Sequence, residues 1–189
     1  VSSAFYVNHT LDENCVMAYD GLHRRIARLD GDNYPAQGDP RSPQAYQRTD
    51  FYYNTSWQIL EERRAEDVAA ANKGNPATTA RFQYVWDLRY IDSPILRDAD
   101  TDDDGDCTDS PGSERLHYTN DANFNVTALV ETDGTVAERY VYDAYGLPKI
   151  YDASWANTVS EANSEGNAIR FCGDYFDPDG EDLKAWMLG

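Results

Sequence analysis

The sequence predicts an all-β fold of consecutive antiparallel hairpins, and three observations support that prediction. Apolar and polar residues alternate with period two, the spacing of a pleated strand, most clearly over residues 126–142. Turn signals separate the alternating runs; one of them, Asp133-Gly134, tolerates the left-handed backbone of a tight hairpin. The composition is rich in tyrosine, with 14 Tyr against 6 Phe, and tyrosine suits half-buried strands whose hydroxyl groups remain hydrated.

The clearest stretch is residues 116–152, whose pattern predicts four strands joined by three turns. In the second of these strands the alternation puts Val126 and Val130 on one face and Leu129 on the other. An Asp-x-x-Gly turn begins at Asp143. Asp can accept hydrogen bonds from its own backbone there, and Gly has no Cβ to clash. The stretch is therefore predicted to be a β-meander.

Shorter runs extend this pattern along the chain. Further strands are predicted at 4–12, from Cys15, and at 25–29, 51–54, 57–63, 81–86 and 95–97, and residues 168–177 are predicted as a strand followed by a turn. Long polar loops are predicted near 31–48, 65–80, 98–114 and 153–167, and the Ala-rich second loop also suits one or two helical turns. A chain of 189 residues is long enough for one domain over 1–189 that buries roughly 70% of its unfolded surface.

The chain is strongly acidic, with a formal net charge of −18 and a pI of about 4.3. Nucleic acid is disfavoured as a partner because binding phosphate requires a basic patch. No apolar run is long enough for membrane insertion, and the charge disfavours an anionic membrane surface. Three cysteines without a CxxC spacing disfavour a disulfide framework and a structural zinc site. The opening Val-Ser-Ser predicts a piece of a longer chain, or a processed one.

Tyr-Asp turn units recur along the sequence. Their residues are Tyr19, Asp20, Tyr118, Asp121, Tyr142, Asp143 and Gly146. In a further unit, Asn54 takes the Asp position. The order of these units, with an Asp-Gly hairpin between the last two, resembles the RHS-repeat (YD-repeat) family, and in particular its RHS repeat-associated core module. His23 stands where the repeat turn usually has Gly, which argues against a left-handed backbone at that position.

The resemblance implies part of a long sheet that spirals into a hollow shell. In bacterial polymorphic toxins and insecticidal toxin complexes that shell encloses a toxin, and in teneurins it serves adhesion at the cell surface. The chain is therefore expected to be a non-enzymatic structural module, secreted or at the cell surface. Its expected partners are neighbouring RHS repeats or a C-terminal toxin. Residues 171–180 resemble a degenerate opening of the C-terminal core signature, and the self-cleavage and toxin regions are not expected within this chain.

An acidic loop provides the candidate metal site. Its residues alternate as in the first half of an EF-hand calcium loop, with Gly105 at the bend. The candidate ligands are Asp98, Asp100, Asp102, Asp104 and Asp106. Pro111 occupies the position of the bidentate Glu, so Asp109 or Glu114 would have to close the shell. Hard oxygen ligands favour a structural Ca²⁺ over zinc or copper, and the alternative is a solvated connector between Arg97 and Arg115.

No catalytic motif is recognisable in the sequence. Its three histidines, His9, His23 and His117, are scattered, and neither a nucleophile elbow nor a zinc-protease motif is present. A hydrolase is therefore the weakest hypothesis. The main alternative to the structural module is a calcium-stabilised surface module that binds carbohydrate or protein through exposed aromatic rings. Trp155, in a polar loop, is the candidate for stacking on a ligand, whereas Trp57 and Trp86 are expected to pack in the core.

Overall fold

A computed structural model describes residues 5–8, 15–30, 45–69, 72, 74–107, 115–160 and 165–173. Within these ranges the chain forms eleven β-strands and one short 3-10 helix. The strands are β1 (Phe5–Asn8), β2 (Cys15–Tyr19), β3 (Arg25–Asp30), β4 (Ala45–Tyr53), β5 (Ile59–Ala69), β6 (Thr79–Trp86), β7 (Pro94–Ala99), β8 (Arg115–Asn120), β9 (Val126–Glu131), β10 (Val136–Tyr142) and β11 (Pro148–Asp152). The 3-10 helix is Phe171–Gly173. This described part contains no helix with the length and apolar character needed to cross a bilayer.

The predicted all-β class is confirmed, because strands that follow one another in the chain pair antiparallel as successive hairpins. The chain divides into two compact units. The first unit comprises residues 1–83 and 99–107, and the second comprises 84–98 and 108–189. The four predicted strands of the central meander correspond to β8–β11.

The first unit contains β1–β5 and the start of β6. Its buried apolar side chains include Met17, Ala18, Ala27, Leu29, Phe51, Ile59, Ala77, Ala99 and Cys107. A buried ion pair lies among them: Arg48 donates from Nε to Oδ2 of Asp50 at 2.7 Å. The same oxygen accepts the backbone N–H of Ala77 at 2.7 Å. The charged pair is thus hydrogen-bonded and also fixes the entry into β6.

The second unit contains β8–β11 and most of β7, and residues 165–173 pack against its strands. Its most deeply buried apolar side chains are Leu116, Val126, Leu129, Tyr140, Ile150 and Ile169. Residues 165–173, the strap, are held by side-chain and backbone hydrogen bonds. Tyr118 donates from its hydroxyl to Oδ1 of Asn167 at 2.9 Å. Val126 donates its N–H to the carbonyl of Arg170 at 3.0 Å.

The structure corrects the strand part of the strand and turn predicted at 168–177. Of that predicted range, the structure describes residues 168–173, which are irregular and end in the 3-10 helix. The reason is that side chains satisfy much of the strap's polar backbone: Cys172 N–H donates to Oδ1 of Asn125, and Nδ2 of Asn167 donates to the carbonyl of Ile169. With its polar groups satisfied in this way, the segment needs only an isolated backbone contact with a strand, such as the bond from Val126 to Arg170, and no continuous ladder.

Strands also extend into three of the predicted loops. The strand β4 begins at Ala45, within the predicted loop 31–48, and β7 continues to Ala99. Residues 65–69, where helical turns were expected, belong to β5, and β6 begins at Thr79. Pairing such as Ala45 with Ala69 explains this difference, because a neighbouring strand's hydrogen-bond ladder outweighs the weak β-propensity of Ala, Glu and Asp.

A β-bulge follows four of the turns and breaks the simple alternation. The residues left out of the pairing are Ile26, Leu60, Thr127 and Ala137. Because of the bulge at Thr127, Leu129 pairs with Tyr118 and Glu138 and shares their buried face. Leu129 and Val126 are both 0% exposed. The prediction that Leu129 lies opposite Val126 is therefore wrong.

Candidate functional site

The turns that contain the Tyr-Asp motif share one geometry, seen clearly at Asp121. Its Oδ1 accepts the backbone N–H groups of Asn123 at 2.8 Å and Asn125 at 3.0 Å. Phe124 N–H donates to the carbonyl of Asp121 at 3.1 Å, and Phe124 has φ of +62°. The capping residues of this kind are Asp20, Asn54, Asp121, Asp143 and Asp152. The feature that these turns share is thus a carboxylate or amide that organises a left-handed turn.

The left-handed position accepts large side chains as well as glycine. It is occupied by His23, Trp57, Phe124, Gly146 and Trp155. The expectation that His23 avoids this conformation is wrong, since its φ is +65°. Asp20 explains the difference: its Oδ1 binds the N–H groups of Leu22 at 2.9 Å and Arg24 at 3.0 Å. These bonds fix the turn firmly enough to overcome the cost of a positive φ, about 1–2 kcal/mol.

Motif tyrosines connect the turns to neighbouring strands. Tyr142 donates from its hydroxyl to the carbonyl of Val126 at 2.8 Å, and Tyr53 donates to that of Arg25 at 2.8 Å. Both acceptors are the fifth residue after a capping residue, so the two contacts are equivalent. Burial raises the pKa of Tyr53 to about 12. These tyrosines are neutral hydrogen-bond donors at physiological pH and hold the structure together.

Gly146 and Phe171 link the last motif turn to the strap. Gly146 has φ of +84°, and a Cβ there would lie 2.9 Å from the Phe171 ring. That ring also packs against Tyr142, with centroids 5.6 Å apart. The glycine of the Tyr-Asp-x-x-Gly element therefore serves both the turn and the docking of the strap.

Acidification should destabilise the chain through these turns. Hydrogen bonds from the Asn125 side chain lower the pKa of Asp121, those from the Ser154 hydroxyl lower that of Asp152, and the Thr135 N–H lowers that of Asp133. Such carboxylates stabilise the fold above the unfolded pKa of 3.8, and this stabilisation is lost as the pH falls through the lower folded pKa.

The measurement is the melting temperature from about pH 5 to about pH 2, with Asp121→Asn as the comparison. The wild-type melting temperature should fall across this range and the variant's should fall less steeply. Burial raises the pKa of Glu138 above its ordinary 4.5, so protonation of this one group stabilises the fold and opposes the effect of the turn carboxylates. A wild-type melting temperature that stays constant or rises on acidification would contradict the prediction.

The acidic loop brings three of the five predicted carboxylates together. One oxygen each from Asp100, Asp102 and Asp104 lies within 4.8 Å of the other two. Asp102 and Asp104 are exposed, whereas Asp100 is buried. Gly105 makes the predicted sharp bend with φ of +92°, and its N–H donates to Oδ2 of Asp100 at 2.9 Å. Clustered carboxylates of this kind can hold a hard cation.

The remaining two predicted ligands lie outside this group. Asp98 is engaged by Arg115, whose Nε and Nη2 each donate to a carboxylate oxygen at 2.7 Å. At Asp106 the backbone N–H donates to Oδ1 of Asp104 at 2.8 Å. In an EF-hand loop this seventh position contributes its backbone carbonyl, so the Asp106 side chain is not required. Three further positions considered above, Asp109, Pro111 and Glu114, lie outside the described residues.

Trp155 is half-exposed but has neighbours on its ring. Its centroid lies 5.4 Å from that of Tyr151, and the Arg139 guanidinium lies 5.2 Å from it. It also occupies the left-handed position of its turn. Trp57 holds the equivalent position and is 55% exposed, which corrects its expected place in the core. The left-handed turn position therefore explains why the side chains of both Trp57 and Trp155 are exposed.

A buried polar network in the second unit was not anticipated from the sequence. Tyr140 donates from its hydroxyl to Oε2 of Glu138 at 2.5 Å, and Glu165 N–H donates to Oε1 at 2.7 Å. Burial raises the pKa of both Glu138 and Tyr140. Because each carboxylate oxygen is engaged, the pair suits the anchoring of the strap better than proton transfer. Its only sequence signal is a Glu two residues before a Tyr on one strand face.

No protein-family model matches the chain, and no curated protein matches it. The resemblance to RHS repeats therefore stays a prediction, based on the Tyr-Asp turn residues and the order in which they occur.

Proposed function

We propose that the chain is a non-enzymatic structural repeat module, one section of a larger β-sheet wall. The observation that supports this most directly is the recurring turn, with a capping Asp or Asn followed three residues later by a left-handed residue. A chain that repeats one supersecondary unit in sequence order has the organisation of a repeat protein, in which stability comes from contacts between neighbouring units.

The chemistry of the motif residues supports this role. The Asp121 carboxylate binds backbone N–H groups, the Tyr142 hydroxyl binds a backbone carbonyl, and Gly146 accommodates the strap. Each group is engaged within its own unit. These residues thus maintain the turn and its attachment, which is the requirement of a scaffold.

The partners follow from the same proposal. A sheet of consecutive hairpins has backbone hydrogen-bonding groups along the edges of its outer strands, where a further strand can pair. Neighbouring RHS-type repeats suit those edges, and a toxin enclosed by the wall is the cargo that the resemblance implies. A secreted or cell-surface location accompanies this role.

Hydrogen exchange tests whether the chain has repeat-like energetics. In the Leu129→Ala variant, amide protection is expected to fall in β8–β10 and to persist in β2–β4, because each unit has its own buried side chains. Wild-type protein under the same conditions is the control. An equal loss of protection in both groups of strands would contradict the proposal.

A glycan array distinguishes the proposed structural module from the alternative, a carbohydrate-binding module. Wild type, Trp155→Ala and the matched exposed-turn variant Trp57→Ala are probed in parallel. Background signal from all three supports the structural module. A specific glycan signal in wild type and Trp57→Ala that disappears in Trp155→Ala would overturn it in favour of a carbohydrate-binding function.

A further inference from the structure

We propose that Asp100, Asp102 and Asp104 form a calcium-binding site in the first unit. This inference goes beyond the structural role, since a repeat wall needs no metal ion. It also reduces the five candidate ligands predicted from the sequence to the three whose carboxylate oxygens lie within 4.8 Å of one another.

The buried carboxylate of Asp100 is the main observation. Asp100 is only 1% exposed, and its Oδ2 accepts the N–H of Gly105 at 2.9 Å. Its Oδ1 is buried and accepts no hydrogen bond from any residue that the structure describes. A buried carboxylate oxygen without a partner is strongly unfavourable. A cation between Asp100 and the two exposed carboxylates would supply the missing interaction.

Electrostatic repulsion supports the same conclusion. Three carboxylate oxygens within 4.8 Å repel one another, and burial of Asp100 strengthens that repulsion. Arg81, the nearby cation, interacts elsewhere: its Nη1 donates to the backbone carbonyl of Asp100 and pairs with Asp103 at 3.2 Å. Arg81 thus balances the charge of Asp103 rather than that of the three clustered carboxylates, which a metal ion would balance.

The loop also presents its ligands on a fixed backbone. Asp100 N–H donates to the carbonyl of Arg81 at 3.0 Å, which ties the start of the loop to β6. Asp104 Oδ1 accepts the N–H of Asp106, and Cys107 at the end of the loop is buried. Little ordering of the backbone is therefore needed when an ion binds, which favours binding.

The donor set selects the metal. Oxygen donors exclude zinc and copper as preferred ions, and flexible carboxylates suit Ca²⁺ better than the strict octahedron of Mg²⁺. Ca²⁺ takes six to eight oxygen ligands, so three carboxylates leave the other positions to backbone carbonyls and water. The expected Kd is about 10⁻⁴–10⁻³ M, the range of extracellular calcium modules.

The test is a CaCl2 titration of the isotope-labelled chain, stripped of metal with chelator, followed by amide NMR. Saturable shifts are expected in residues 99–107, with a smaller response to MgCl2. Asp102→Asn and Asp104→Asn should each weaken binding at least tenfold. Asp103→Asn is the matched control, because Asp103 lies in the same loop, pairs with Arg81, and has φ of +63°, which Asn tolerates.

Two results would overturn the site. One is the absence of saturable shifts up to about 10 mM Ca²⁺, well above the expected Kd. The other is equal weakening in Asp103→Asn and Asp104→Asn, which would indicate diffuse attraction to an acidic surface. Amide spectra of each metal-free variant confirm that the first unit is still folded, so loss of binding is not confused with unfolding. The outcome is independent of the wall proposal, which the hydrogen-exchange experiment tests.

Discussion

Truncating Leu129 to alanine is expected to lower the free energy of unfolding by about 2–5 kcal/mol. Leu129 is 0% exposed and lies between Tyr118 and Glu138 in the strand pairing. Removing its side chain leaves a cavity among closely packed neighbours that can collapse only in part, which adds to the lost burial. Urea denaturation, with the slope compared between variant and wild type, measures the change.

Val141→Ala on β10 is the matched control for this prediction. Val141 is 45% exposed, so its truncation should change the unfolding free energy by no more than about 0.5 kcal/mol.

The same pair of variants tests the register of β9. Strict alternation would place Leu129 on the face opposite Val126, whereas the bulge at Thr127 places both on one buried face. Equal small losses from Leu129→Ala and Val141→Ala would contradict the observed register.

The meander was predictable because its signals are local. Alternation over residues 126–142 and the turns at Asp133 and Asp143 depend on neighbouring residues only, and β8–β11 lie where those signals indicate. Extensions such as 65–69 of β5 were not predictable. Their strand conformation depends on β4 pairing alongside, which is distant in sequence.

The bulges and the strap show a different limit of sequence reasoning. A bulge shifts the alternation by one residue without any change in composition, so strict alternation predicts Leu129 on the more polar face. The left-handed His23 depends on bonds from the Asp20 carboxylate rather than on its own preference. The strap depends on side chains such as Asn167 that satisfy its backbone from within the fold.

The acidic loop was predictable in part. Spacing alone indicated Asp100, Asp102 and Asp104, since alternate residues around a bend at Gly105 converge. The same spacing also indicated Asp98, but in the structure its carboxylate accepts a hydrogen bond from Arg115. Burial of an individual oxygen, the property that distinguishes Asp100 from its neighbours, depends on packing and has no sequence signal.

The Gly173→Ala substitution is expected to detach the end of the strap. A Cβ at this position would lie 2.0 Å from the backbone carbonyl oxygen of Asp92, and Gly173 has φ of +68°. The left-handed conformation costs a non-glycine residue about 1–2 kcal/mol, and overpacking adds about 1–3 kcal/mol. A loss of about 2–5 kcal/mol is therefore expected. Exchange of the Val126 amide, which donates to Arg170 of the strap, should accelerate.

Substitutions at two other glycines distinguish the effect of the steric clash from the free-energy cost of a positive φ. Gly134 has φ of +91° with nothing within 4 Å of an added Cβ, so Gly134→Ala should lose only about 1–2 kcal/mol. Gly21 also has open space and lacks a positive φ, so Gly21→Ala should be neutral or stabilising by about 0.4–1 kcal/mol. The order of loss should be Gly173, then Gly134, then Gly21. If Gly173→Ala cost no more than Gly134→Ala, the backbone at Asp92 would not be in close contact with the strap.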